Sequence, residues 1–249
     1  MNIAQSIALV TGAKGGIGRA FVADLLARGA AKVYVAARDV ASLADLLHGD
    51  DPRVVGLALD VTDAVQVARA ALDAPDVTLL VNNAGHAAFQ GAIAAPRLVD
   101  ARREMEVNYF GPLALTRAFA PVLARSGGGA IVNMLSMAAV VSLPAMGTYS
   151  ASKAAFLSVT RSIRAELAAQ GTAVVGVLAV QTETAIGARL PAPRMTPQEV
   201  AGDVLDAVEA GKSEEIAAGP LTQAVWEAFQ ADPQALQARM SARLPQAAH

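Results

Sequence analysis

The chain has 249 residues, 54% of them hydrophobic and 17% charged, a balance that excludes a disordered protein. Lys+Arg is 20 and Asp+Glu 22, so a net charge of -2 leaves no basic surplus for a nucleic-acid partner. Cysteine is absent, which excludes a disulfide framework, a cysteine nucleophile and a thiolate metal site. A chain of this size can bury about 70% of its unfolded surface, enough for one large domain over residues 1–249.

The opening Met1-Asn2-Ile3-Ala4-Gln5-Ser6 has no basic start and leads to no small-residue cleavage site. No secretory leader is therefore expected, and a cytoplasmic location is. Ile7-Ala8-Leu9-Val10 reads as a first strand and Ile17 to Arg28 as a helix. Lys32 to Ala37 is a second strand, followed by a helical stretch from Val40 to Leu47. Val54 to Leu59 is a third strand before a helix from Thr62 to Leu72. Val77 to Val81 is a fourth, leading to helical runs Pro96 to Val107 and Tyr109 to Ala124. Ala130 to Met134 precedes a long helix from Thr148 to Ala169, and Thr172 to Val180 is a sixth strand. Glu215-Ile216-Ala217 reads as a short last strand before a C-terminal helical segment, about 219–243.

Strand then helix, repeated, predicts βαβ units. The strands are continuous Val/Leu/Ile runs, as when helices cover both faces. The expected fold is α/β: a single Rossmann-type doubly wound parallel sheet. Asp39 and Thr62 stand where helix N-caps belong, and Thr196-Pro197-Gln198-Glu199 has the makings of a capping box. Ser126 to Ser152 carries no charge, but its glycines, Pro144 and hydroxyl residues suit a buried strand and pocket wall rather than a membrane span. Gly187 to Arg194, with Pro191 and Pro193, is a candidate substrate-covering loop of about 185–197.

Thr11-Gly12-Ala13-Lys14-Gly15-Gly16-Ile17-Gly18 joins the first strand to the first helix. Such a turn lets backbone approach a pyrophosphate, whose charge meets the helix N-terminus. Further along stand Asn82-Asn83-Ala84-Gly85, Asn108 within Val107-Asn108-Tyr109-Phe110-Gly111, Ser136, and Tyr149-Ser150-Ala151-Ser152-Lys153, with Ser136 thirteen residues ahead of Tyr149. In this order, over about residues 5 to 217, the set resembles the short-chain dehydrogenase/reductase family of the Tyr-x-x-x-Lys type.

Residues four apart share a helix face, so Tyr149 and Lys153 project together. A free phenol titrates near 10; a nearby ammonium and a positive nicotinamide favour phenolate. Tyr149 is therefore expected to act as general acid and base toward an alcohol or carbonyl. The resemblance implies that Ser136 holds the substrate oxygen, that Lys153 grips the nicotinamide ribose, and that Asn108 anchors a water joining Lys153 to solvent. The alternative reads Asn108 as a structural residue that distorts its helix, a role that can coexist with the relay.

The resemblance further places the cofactor on Gly12, Lys14, Gly16, Ile17, Gly18, Asp60, Val61, Asn83, Ala84, Gly85, Tyr149, Lys153, Thr182 and Thr184. Ala37 stands where the family's NAD users carry Asp, and Arg38 follows, where a guanidinium can grip a 2′-phosphate. NADP is therefore the expected cofactor; the alternative has Arg38 stacked on adenine and Asp39 on the ribose of NAD. Ala179-Val180 replaces the family's Pro-Gly, so the course of the Gln181–Thr184 segment is in question, and Glu183 has no assigned role. Expected substrate neighbours are Ser136, Met137, Leu143, Met146 and Gln181, with Ala87, Phe89, Val141 and Ile186. They are mostly apolar and no Arg or Lys is expected among them, which implies a neutral, fairly hydrophobic alcohol or ketone. His86 is either a loop histidine or a substrate neighbour, His48 and His249 are expected to be solvated, and no ligand spacing suggests a metal. Trp226 is expected to pack or to line an interface. The resemblance implies a homotetramer or dimer built through Tyr109–Ala124 and Thr148–Ala169. Two alternatives stay open: a non-catalytic NAD(P) sensor and a same-fold lyase or epimerase.

Overall fold

The computed structural model describes residues 1–47, 51–242 and 244; His48 and His249 lie outside them. Seven parallel strands form one sheet: β1 (Ile7–Thr11), β2 (Lys32–Ala37), β3 (Val54–Ala58), β4 (Leu79–Asn82), β5 (Gly129–Met134), β6 (Thr172–Leu178) and β7 (Glu215–Ala217). Their order is β3-β2-β1-β4-β5-β6-β7. The chain runs outward from β1 to β3, then returns to lay β4 against β1, pairing Leu9 with Leu80. This reversal opens a crevice at the carboxyl ends of β1 and β4, the place where open α/β sheets bind ligands.

The helices are α1 (Gly16–Ala27), α2 (Ala44–Leu47), α3 (Ala64–Asp73), α4 (Val99–Met105), α5 (Gly111–Arg125), α6 (Gly147–Leu167), α7 (Pro197–Glu209), α8 (Pro220–Ala231) and α9 (Pro233–Ser241). Successive strand residues point to opposite faces, so Ala8 and Val10 join one core with Phe21 and Leu25 of α1 and Val200 and Val204 of α7. Leu9 joins the other, with Val67 of α3, Leu115 and Phe119 of α5 and Ile163 of α6. Each fully buried ring or branched chain of this kind contributes about 1.5–3 kcal/mol. A smaller third cluster seats Trp226 and Phe229 of α8 on Leu135, Phe156 and Leu157, so Trp226 packs as expected.

The capping box at Thr196 is formed, and Asp39 caps a 3-10 turn (Val40–Leu43) that replaces the first half of the helix expected there. The expected cap at Thr62 is corrected: Asp63 accepts the Val65 and Gln66 amides, while Thr62 binds Asp60. The C-terminal helical segment is two helices, because Asp232 caps α9 through the Ala235 amide and Pro233 takes its first position. A π-turn (Glu106–Phe110) links α4 to α5. The uncharged segment forms β5 and short 3-10 turns. Among the described residues no helix is long and apolar enough to cross a membrane.

Candidate active site

The crevice begins at the glycine turn. Gly12 has φ 64, and a Cβ there would lie 3.0 Å from Ala84 Cα. A Cβ on Gly18 would run into the Gly12 carbonyl. Thr11 Oγ1 accepts the Asn83 and Ala84 amides at 2.9 and 3.0 Å, and Asn83 Nδ2 donates to the Thr11 carbonyl at 2.8 Å. The two turns after β1 and β4 are thus sewn together. No side chain caps α1, whose N-cap is Gly15. Lys14 and Gly15 are exposed above it. Uncapped helix N–H groups beside backbone that glycine leaves bare suit a pyrophosphate, so the residues present fit a dinucleotide.

Arg38 is exposed and, among the described residues, makes no ion pair, whereas Asp39 is engaged in its cap. Burial favours the neutral acid of Asp60. The Thr62 hydrogen bonds and the charges of Arg103 and Arg38 outweigh it and hold the carboxyl below its ordinary range. Val61 is buried beside it. Arg103 was not foreseen here; its guanidinium lies 4.0 Å from Asp60 Oδ2.

At the far end of the crevice, the start of α6 brings Tyr149 and Lys153 together. Lys153 is 4% exposed, with Nζ 5.8 Å from the Tyr149 ring centroid and donating to the Met134 carbonyl at 2.8 Å. Burial lowers the Lys153 ammonium to about 8. Burial likewise pushes the Tyr149 phenol up to about 12, against hydrogen bonding to Ser136 and with the Glu104 charge adding to it. The expected shift of the phenol toward phenolate is therefore not a property of the protein alone. Desolvation is the largest cause.

Asn108 is 1% exposed within the π-turn, which bears out its expected helix distortion. Its Oδ1 accepts the His86 amide and its Nδ2 donates to the His86 carbonyl, both at 2.8 Å, and also to Ser152 Oγ at 2.9 Å. His86 thus serves through its backbone. Ser152, Met134 and Glu104 are further participants that motif spacing does not mark.

After β6 the altered segment still crosses the glycine turn: a Cβ on Gly16 would meet the Glu183 carbonyl at 3.2 Å and the Thr184 methyl at 3.2 Å. Thr182 is buried and turns its hydroxyl to the Val180 carbonyl, so of the two threonines only Thr184 faces the turn. Gln181 Nε2 donates to the Pro193 carbonyl at 3.1 Å, and Arg194 Nε holds the Gly187 and Leu190 carbonyls at 2.9 and 3.0 Å. The loop is thereby folded upon itself. Met137 is buried among Leu135, Phe156 and Leu157. Leu143 is half-buried and Met146 buried at the approach to Tyr149. Arg189 lies 4.2 Å from the centroid of Phe89, joining the loop after β6 to the loop after β4. Among the described residues no group of acidic or histidine side chains could hold a metal.

An uncapped glycine-rich helix start at the switch point of a parallel sheet, with the Tyr149 centre beside it, places the molecule in the class of nicotinamide-dependent oxidoreductases. The family model described as short chain dehydrogenase matches residues 6–194, and the chain belongs to that family. It is 33% identical over 229 residues to dehydrogenase/reductase SDR family member 7B of Mus musculus, covering 82% of this chain and 70% of that protein. Among solved structures, a short chain dehydrogenase from Burkholderia cenocepacia in complex with NADP superposes with a TM-score of 0.89. It is 44% identical, over 96% of this chain and 99% of that one. A short chain dehydrogenase/reductase from Burkholderia phymatum in complex with NAD gives 0.82 at 26% identity, over 94% and 96%.

Proposed function

We propose that the protein is an NADP(H)-dependent alcohol dehydrogenase or carbonyl reductase, interconverting a neutral, fairly hydrophobic secondary alcohol and its ketone. The observation that carries this reading is Tyr149 at the start of α6 with the buried Lys153 Nζ 5.8 Å from its ring. Bound nicotinamide would supply or take the hydride, and its oxidised ring would add a positive charge to the site. Ser136 orients the substrate oxygen. Tyr149 hands its proton to that oxygen as the carbonyl is reduced and takes one back in the oxidation. Lys153, fixed by the Met134 carbonyl, holds the ribose and steadies the phenolate; Asn108 holds the neighbouring backbone.

Gly12, Gly16, Ile17 and Gly18 would cradle the pyrophosphate, with Lys14 and Thr184 beside it. Asp60, Val61, Asn83, Ala84 and Gly85 would flank the adenosine and its ribose. Arg38, exposed and without an ion pair among the described residues, favours NADP by being free to meet a 2′-phosphate. The NADP complex of the Burkholderia cenocepacia protein agrees with this. Leu143, Met146 and Ile186 support an apolar substrate, and Arg189 directs its charge to the Phe89 ring. The whole chain reads as one dinucleotide-binding domain, since β7 closes the sheet that β1 begins. Cytoplasmic residence and a homo-oligomer, tetramer or dimer, complete the proposal; Phe110, 48% exposed on the expected interface, supports the second.

The test is the loss of reduced-nicotinamide absorbance with NADPH and with NADH over a panel of apolar ketones. Turnover with NADPH is expected. Cofactor binding without turnover on any carbonyl or alcohol would replace the enzyme with a nucleotide sensor, and a redox-neutral product would replace it with a lyase or epimerase.

A further inference from the structure

Four polar side chains at the carboxyl ends of β4 and β5 are 3% exposed or less: Asn82 of β4, Thr116 of α5, Asn133 of β5 and Thr160 of α6. Asn82 and Asn133 stand side by side in the paired strands. Asn82 Nδ2 donates to Asn133 Oδ1 at 2.9 Å and to Thr116 Oγ1 at 3.3 Å. Asn133 Nδ2 donates to Thr160 Oγ1 at 3.0 Å. These bonds run from α5 across two strands and end on the helix that carries Tyr149 and Lys153. Alkyl groups of the same shape would fill the place of Asn133 and Thr160 without burying polar atoms. What the polar pair adds is direction: a hydrogen bond holds one register of helix on strand, where apolar contact lets the helix slide.

Met134 follows Asn133 and offers its carbonyl to Lys153 Nζ at 2.8 Å; Ser136 stands two residues further on. Thr160 comes two helical turns after Lys153, so both lie on the face of α6 turned toward β5. Helix α6 is therefore bonded to the end of β5 at two points. The Lys153 bond alone would let the helix pivot, and in the proposed reaction Lys153 must also meet the ribose. The bond between Asn133 and Thr160 has no such second duty. We infer that Asn133 and Thr160 are positioning residues of the reaction: their bond fixes α6 on β5 and so places Tyr149 and Lys153 against Ser136. This rests on the acid–base role proposed for Tyr149. Asn82 carries the constraint toward the cofactor turn, since Asn83, next in the chain, donates to the Thr11 carbonyl at 2.8 Å.

The informative protein is the double variant Asn133→Leu/Thr160→Val. It keeps the shapes, removes the bond and leaves neither position with an unpaired polar group, while Asn82 Nδ2 retains Thr116. The urea midpoint, NADPH affinity and kcat with an accepted ketone are measured together. The expected result is a midpoint and an NADPH affinity close to wild type, with kcat lower by roughly 10–100-fold, the cost of a small misplacement of reacting groups. Wild-type kcat in the double variant would overturn the inference. Thr160→Ser, which keeps the hydroxyl, restores kcat relative to Thr160→Val; equal kcat values in these two would overturn it as well. Acetylation of lysines, followed by mass spectrometry, reads the placement without turnover. Lys153 is buried and Lys212 exposed, so Lys212 serves as the reference. In the double variant labelling of Lys153 relative to Lys212 rises severalfold, and an unchanged ratio would contradict the hold on α6. Should the wild-type protein turn over no carbonyl or alcohol, the acid–base reading fails, while the labelling ratio still reports whether the bond holds Lys153 in place.

Discussion

Asn108 and Ser152 connect the π-turn to the catalytic helix: Asn108 Nδ2 donates to Ser152 Oγ at 2.9 Å, and Ser152 Oγ donates to the Tyr149 carbonyl at 2.7 Å. Through this link and its two bonds to His86, one buried amide sets the backbone on both sides of the crevice. The extra residue of the π-turn makes this possible, since it turns Asn108 away from the helix repeat. Asn108→Ala leaves the His86 N–H and carbonyl without these partners and takes from Ser152 Oγ the bond it accepts, leaving its own donation to the Tyr149 carbonyl. We expect it to lower unfolding stability by about 2–4 kcal/mol in urea titrations, in addition to its effect on turnover. A loss below about 0.5 kcal/mol, in the range of an ordinary surface change, would remove the structural role.

Burial of Lys153 is a cost to the fold. Its ammonium falls to about 8 from 10.5, so between those values the unfolded chain binds more protons than the folded one. Stability therefore rises with pH across that window, and below pH 8 the full cost is present. Lys153→Met removes a cost on the order of 3 kcal/mol at pH 7, offset by about 1 kcal/mol for the bond to Met134. The expected result is an inactive protein about 2 kcal/mol more stable than wild type at pH 7, with the advantage gone by about pH 10.5. An advantage that does not change with pH would contradict the burial argument.

Cofactor choice turns on Arg38. A charge-assisted pair with a 2′-phosphate contributes about 1.5–3 kcal/mol, a preference of roughly 10–150-fold. Arg38→Ala should raise the KM for NADPH by that factor and leave the KM for NADH nearly unchanged. If both rise together, Arg38 stacks on adenine and does not read the phosphate.

Much of this architecture is legible in the residues. Continuous apolar strands, the Gly12–Gly18 turn and the four-residue spacing of Tyr149 and Lys153 lead to the parallel sheet and to the pairing found at its edge. What was not legible depends on burial. Glu104 sits in a run of charges, yet it is fully buried and accepts the Ala88 amide; its position four before Asn108 was the available signal. The proton affinity of Tyr149 depends on a desolvation that spacing does not express. The break at Asp232 follows from a cap and a proline, which a helical period passes over. Thr62 and Asp63 are both able caps, and Asp60 decides between them by engaging Thr62.

The central claim is that Tyr149 moves the proton. The most direct measurement is single-variant kinetics on Tyr149→Phe with NADPH and an accepted ketone, with cofactor affinity measured alongside. The account predicts unchanged NADPH binding and a kcat at least ~100-fold lower. A kcat near wild type would contradict it.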